Sequence, residues 1–180
     1  MKNWETESEE LVFSAPPFLD VRKQSVRLPD DNLIEDFFQV HLRSFVIVVP
    51  VTKDGKVLTI RQYKHGPGRV SLTFPGGFLS DGEPASEAIG RELLEETGYE
   101  AGDLIHLGEF VDNGNQRGCV GNYYVALNCQ SVTAPNSGDL EEMVLQTSSP
   151  EEIDQALFTG DIAIIHNASV WAMARLRGLV

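Results

Sequence analysis

The chain has 180 residues, 42% of them hydrophobic, which is enough for one core and a small accessory unit. Its formal charge of −13 at pH 7 argues against nucleic acid or an anionic membrane as the main partner, because a long-range negative field repels polyanions. A phosphorylated small molecule meets the same repulsion, so cations are expected wherever such a ligand docks.

The opening MKNWETESEE is acidic and has no apolar signal core, and the longest apolar run, Phe45 to Val51, is far too short to span a bilayer. A cytoplasmic protein is expected. Residues 1–42 read as a β region: Phe18 to Leu28 alternates loosely, Pro29-Asp30-Asp31-Asn32 supplies turn chemistry, and Leu33 to His41 returns as a second strand. A hairpin of this kind cannot bury both faces, so it must pack on the main domain, residues 43–180, or on another copy of the chain.

Ser44 to Thr52 is a β-branched run suited to a buried strand, Asp54-Gly55 signals a hairpin turn, and Lys56 to Lys64 is expected to pair back. Arg61 and Lys64 near its end are candidate phosphate contacts, the alternative being a solvated strand edge. His65 to Val70 is a Gly/Pro loop, and Ser71 to Phe74 is a short strand feeding Pro75-Gly76-Gly77. Glycine there lets backbone approach a ligand closely.

Pro84 to Thr97 is expected to be one helix, with Pro84 at its first position and Gly98 as the left-handed residue after its last turn. On a helical wheel Ala85, Ala88, Ile89 and Leu93 define an apolar arc, and Glu92 and Glu96 fall in the middle of it. Glu95 borders the same arc. A solvated, salt-bridged helix would keep its acids off that face, and acids near a helix C-terminus also oppose the macrodipole. Arg91 can reach Glu87 and Glu95 at i−4 and i+4, which leaves Glu92 and Glu96 to be neutralised by something else. Hard oxygen ligands at i and i+4, a third carboxylate nearby and the Gly76 carbonyl suit Mg²⁺ or Mn²⁺.

Leu104 to Val111 and Gly121 to Asn128 alternate as strands around a polar loop, Asp112 to Gly118. Leu140 to Gln146 reads as one more strand, opened by the acids of Asp139-Leu140-Glu141-Glu142. Pro150 to Phe158 is a helix with proline at its start and Gly160 after its end, and Asn167 to Leu176 is the last helix. Cys119 and Cys129, the two cysteines, lack metal or redox spacing and read as core or strand thiols. The four histidines are scattered and default to surface or core positions.

Gly77, five residues, Glu83, seven residues, then Arg91-Glu92-Leu93-Leu94-Glu95-Glu96-Thr97-Gly98-Tyr99 resembles the Nudix box with every fixed position filled. The resemblance implies an α/β fold, the Nudix αβα sandwich with a mixed sheet and a loop-helix-loop box. It also implies a hydrolase that cleaves nucleoside diphosphates linked to another moiety with Mg²⁺ or Mn²⁺. Glu92, Glu95 and Glu96 would hold metal, Arg91 would orient Glu95, Glu83 would brace the turn or the metal shell, and Gly77 would lie against substrate. Glu142, with Glu141 second, would be the catalytic base in an acidic loop.

The hairpin, the Arg61-Gln62-Tyr63-Lys64 segment and the C-terminal helices are similar to the ADP-ribose pyrophosphatase branch. There the N-terminal sheet builds a homodimer, and products from ADP-ribose are AMP and ribose 5-phosphate. Trp4 and Phe18 are candidates for stacking on a purine there, with ordinary packing as the other reading. Two positions depart from that branch: Thr73 stands where it usually has Glu, and Gly114 or Asn115 where it has proline. A sanitising nucleoside triphosphate pyrophosphatase and a non-catalytic nucleotide-sugar sensor are the alternatives.

Overall fold

The computed structural model describes residues 1–138 and 142–180. The chain forms two compact units, one made of Met1–Ser44 with Phe110–Val120, the other of Phe45–Glu109 with Gly121–Val180.

The first unit is a three-stranded antiparallel meander of β1 (Glu5–Ala15), β2 (Leu19–Arg27) and β3 (Leu33–Leu42). Two of these strands coincide with the expected hairpin, and β1 is an additional strand. Its sequence, ETESEELVFSA, opens with acids of low strand propensity and is exposed on both faces, so it carries no alternation to read. Cross-strand pairing holds it: Glu9 accepts from Arg22 and Gln24 of β2, and Glu7 pairs with Arg27. Residues 110–120, which the sequence assigns to the main domain as strand ends and a polar loop, fold with this unit instead. Gln116 O accepts from Val40 N–H at 2.9 Å, and Arg117 and Gly118 run parallel to Val40 and His41. The loop itself shrinks, because β9 (Asp103–Asn113) and β10 (Arg117–Ser131) extend into it from either side.

The second unit is built around β4 (Phe45–Thr52), which lies parallel to β10. Alternation along these two central strands decides the layers. Val46, Val48, Tyr124 and Ala126 face Ala88, Ile89 and Leu93 of α1 (Ala85–Thr97). Ile47, Val49, Tyr123 and Val125 face Ile153 of α2 (Pro150–Phe158) and Val170, Trp171 and Ala174 of α3 (Ile165–Leu176). One helix on one face and two on the other give the expected sandwich.

The β4–β5 hairpin differs from expectation. β5 (Val57–Lys64) pairs with β4 only at Val51 and Val57 beside the Asp54-Gly55 turn. Farther along, the edge of β4 at Phe45–Ile47 is taken by β7 (Gly76–Phe78), so β5 diverges and pairs antiparallel with β6 (Arg69–Thr73) and β11 (Met143–Ser148). The short β8 (Tyr99–Glu100) pairs with the end of β10. Of the expected strand from Leu140, the described part is β11 from Met143, Glu142 standing outside it, and Leu140 itself lies outside the described residues. No helix among the described residues is long and apolar enough to cross a membrane.

Candidate active site

α1 is fixed at both ends by backbone geometry. Pro84 is its N-cap, with an extended ψ of 135°, rather than its first helical residue: it stands one position earlier than expected. Gly98 takes φ 75° and returns its N–H to Leu94 O at 2.8 Å. Between them the apolar arc is buried and draws two carboxylates with it. Glu96 is 7% exposed, and the Glu92 side chain 14%, whereas that of Glu95 is 43% exposed.

The glycine turn meets these acids. Gly76 N–H donates to Glu96 Oε2 at 2.9 Å, and a Cβ on Gly77 would run into the Glu92 carboxylate. A Cβ on Gly76 would strike Val46 O on β4. Gly76 is therefore required by its close approach to the backbone of a neighbouring strand, whereas a side chain at Gly77 would displace the Glu92 carboxylate from the turn.

Arg91 is the electrostatic centre. Its guanidinium donates to both oxygens of Glu83 at 3.0 and 3.1 Å, to Glu92 Oε1 at 2.8 Å and to Glu95 Oε2 at 3.2 Å. Glu83 also accepts from Ser80 N–H at 2.9 Å, which ties the loop before α1 to the helix. Hydrogen bonds from Arg91, and then from the Ser80 backbone, pull the Glu83 carboxyl down from 4.5 to about 2. Two expectations change here. Arg91 takes Glu83 rather than Glu87 as its partner, and it does reach Glu92, because a long flexible side chain is not confined to its own spoke of the helical wheel.

Carboxylate oxygens pressed against a backbone turn are the donor chemistry that Mg²⁺ and Mn²⁺ prefer. As they stand, the described residues include no three acidic, His or Cys side chains converged closely enough to hold an ion. Arg91 lies between Glu92 and Glu95, and Glu96 is engaged by the turn. The donor set fits a hard divalent cation, with Arg91 as the positive charge that now balances part of it.

The other candidates are spread over the sheet. Arg61 is held in a two-bond pair with Asp161, at 3.0 and 2.5 Å, which raises its pKa and lowers that of Asp161. Lys64 ends β5 opposite Arg69. Glu142 is exposed and immediately precedes β11, whose Met143 pairs with Gln62 of β5. Glu141 lies outside the described residues. Phe18 is exposed in the first unit, beside a hollow of about 240 Å³ that Asp20, His41 and Arg43 also line. Trp4 packs edge-on against Phe37 at 5.9 Å. Burial pushes both thiols up to about 11, which fits inert strand cysteines.

Two buried amides had no sequence signal. Gln62 Nε2 donates to Thr73 Oγ1 at 2.9 Å, and that hydroxyl donates to Ile60 O, so Thr73 serves the sheet rather than carrying a charge. Gln62 Oε1 has no partner among the described residues. The other amide, Asn167, accepts from Phe74 N–H.

The family profile of the NUDIX domain matches residues 41–166, well over half of the chain. The chain belongs to the NUDIX family. Within it, the chain is 32% identical over 105 residues to an ADP-ribose pyrophosphatase of Bacillus subtilis, a match covering 58% of this chain and 56% of that protein. It is 42% identical over 65 residues to the ADP compounds hydrolase NudE of Escherichia coli, covering 36% and 34%. The chain thus spans between about a third and just over half of these curated relatives. A crystal structure of an ADP compounds hydrolase superposes with a TM-score of 0.80 over 99% of this chain and 97% of that one, at 22% identity, which establishes a common NUDIX fold.

Proposed function

We propose that this chain is a pyrophosphatase that hydrolyses the diphosphate bridge of nucleoside diphosphate sugars, with ADP-sugars such as ADP-ribose as substrates and Mg²⁺ or Mn²⁺ as cofactor. The observation that carries this reading is the pair of carboxylates, Glu92 and Glu96, turned onto the apolar face of α1 and seated against the Gly76-Gly77 turn. The ADP-ribose and ADP-compound names of the relatives support the substrate class.

Glu92, Glu95 and Glu96, with the Gly76 carbonyl, would hold the cation. Bound there, it supplies neutralisation for the diphosphate and polarisation of the attacking water. Arg91 keeps Glu92 and Glu95 in place and ties them to the loop through Glu83. Glu142, exposed ahead of β11, is the group proposed to take the proton from water. Lys64 is the proposed phosphate contact, while Arg61 braces Asp161. Water attack on one phosphorus breaks the bridging P–O bond, and ADP-ribose yields AMP and ribose 5-phosphate.

A panel of ADP-ribose, ADP-glucose, GDP-mannose, coenzyme A and deoxynucleoside triphosphates with Mg²⁺, read by phosphate released after phosphatase coupling, tests the reading. The ADP-sugars should lead the panel. Glu96→Gln, which keeps an acceptor for Gly76 N–H but loses a charged ligand, should cut turnover by about a hundredfold or more with the fold intact. Wild-type turnover in that variant would reject the metal role, and preference for triphosphates would reject the substrate class.

A further inference from the structure

The strand that delivers the glycine turn is anchored by an element far away in sequence. Asn167 stands in the first turn of α3, 6% exposed, and its Oδ1 accepts from Phe74 N–H at 2.6 Å. An asparagine at a helix start ordinarily turns to its own backbone, and α3 has no side-chain cap at Ile164. Here the amide is directed away from its own helix to another segment.

The next two residues are fixed by two other elements. Pro75 has no N–H, and its carbonyl accepts from Val48 N–H of β4 at 3.0 Å. Gly76 N–H donates to Glu96 of α1 at 2.9 Å. Phe74 and Pro75 are also the only residues between β6 and β7, where the chain leaves the edge of β5 and joins the edge of β4. Three elements thus hold three consecutive residues, and Asn167 provides the first of the three restraints.

We infer that Asn167 is a positioning residue: by fixing Phe74 it sets where the Gly76-Gly77 turn stands against Glu92 and Glu96, and so tunes the affinity of the acidic site for its cation. This rests on the metal reading of that site given above.

Full-length wild type, Asn167→Ala and Asn167→Asp are compared in three measurements: Mn²⁺ binding by electron paramagnetic resonance, hydrogen exchange of the Gly76 amide without metal, and the thermal midpoint. Losing one buried hydrogen bond in Asn167→Ala should weaken Mn²⁺ binding by about tenfold and speed Gly76 exchange. Asn167→Asp keeps an oxygen acceptor, and a carboxylate is welcome in a first helical turn, so it should restore both readouts. An alanine variant with wild-type Mn²⁺ affinity overturns the inference, whatever its Gly76 exchange, while leaving the metal site standing. A wild-type protein that binds no Mn²⁺ rejects the site and the inference together. If Asn167→Ala fails to fold, Asn167→Ser, which shortens the side chain and keeps it polar, carries the same comparison.

Discussion

Glu83 shows how one side chain couples the site to solvent acidity. Its folded pKa, about 2, lies below the ordinary 4.5, chiefly because Arg91 donates to the ionised form and Ser80 N–H adds to it. A depressed carboxylate contributes stability that is fully present above its unfolded pKa and is lost as pH falls through the folded one. Urea midpoints measured as pH is lowered from about 4.5 towards about 2 should therefore decline partly through this group, and Glu83→Gln should flatten that part of the slope. An unchanged slope would mean that Arg91 does not hold Glu83 in solution. At this scale the sequence is informative about the acids and about one partner, since the i+4 pair of Arg91 with Glu95 forms as expected, but not about the rest. Glu92 and Glu96 could be placed on the apolar arc because a helical wheel fixes Cβ directions. Arg91's choice of Glu83 over Glu87 depends on a loop conformation that no periodicity encodes.

Among the elements, α1 and its C-cap carry two glycines, Gly90 and Gly98, for which opposite outcomes are expected. Gly98 sits at φ 75°, its carbonyl accepts from Val132 and Thr133 N–H, and a Cβ would run into Thr133 O. Gly98→Ala should cost about 2 kcal/mol or more, since conformational strain and a backbone clash add. Gly90 is exposed in mid-helix with nothing near its missing side chain, so Gly90→Ala should stabilise by roughly 0.5–1 kcal/mol. Chemical denaturation of the pair reads both signs, and a loss at Gly90 would show that its open face contacts something. Helix ends are legible where local chemistry marks them: Pro150 and Gly160 bound α2 over its full span, and Ser149 and Glu152 close its start as a capping box. Where no such mark exists the starts shift, α1 beginning one residue after Pro84 and α3 at Ile165, two residues before the expected Asn167, because Ile164 offers no side-chain cap. Strand β1 and the reassignment of Phe110–Val120 were not legible. Their places are set by cross-strand partners distant in sequence, such as Arg22 for Glu9 and Val40 for Gln116.

For the molecule as a whole, the first unit exposes Leu11, Val12 and Phe13 along β1, an edge strand whose outer side has no neighbour among the described residues. Apolar edges of this kind are usually covered, and a homodimer through residues 1–42 is the proposed cover. Sedimentation at micromolar protein should give the dimer mass, and Leu11→Glu with Phe13→Glu should shift it to monomer. A wild-type protein that sediments only as monomer would reject the proposal. The passage of β9 and β10 through both units bears on any attempt to exchange this region between relatives. Cutting after Ser44 would remove Val40 and His41 and leave the tip at 110–120 without its scaffold, so a swap needs two grafts, one at the amino end and one at an interior loop. An appendage stitched in twice is not a detachable module, and single-junction chimaeras of this family member should misfold where two-junction ones succeed.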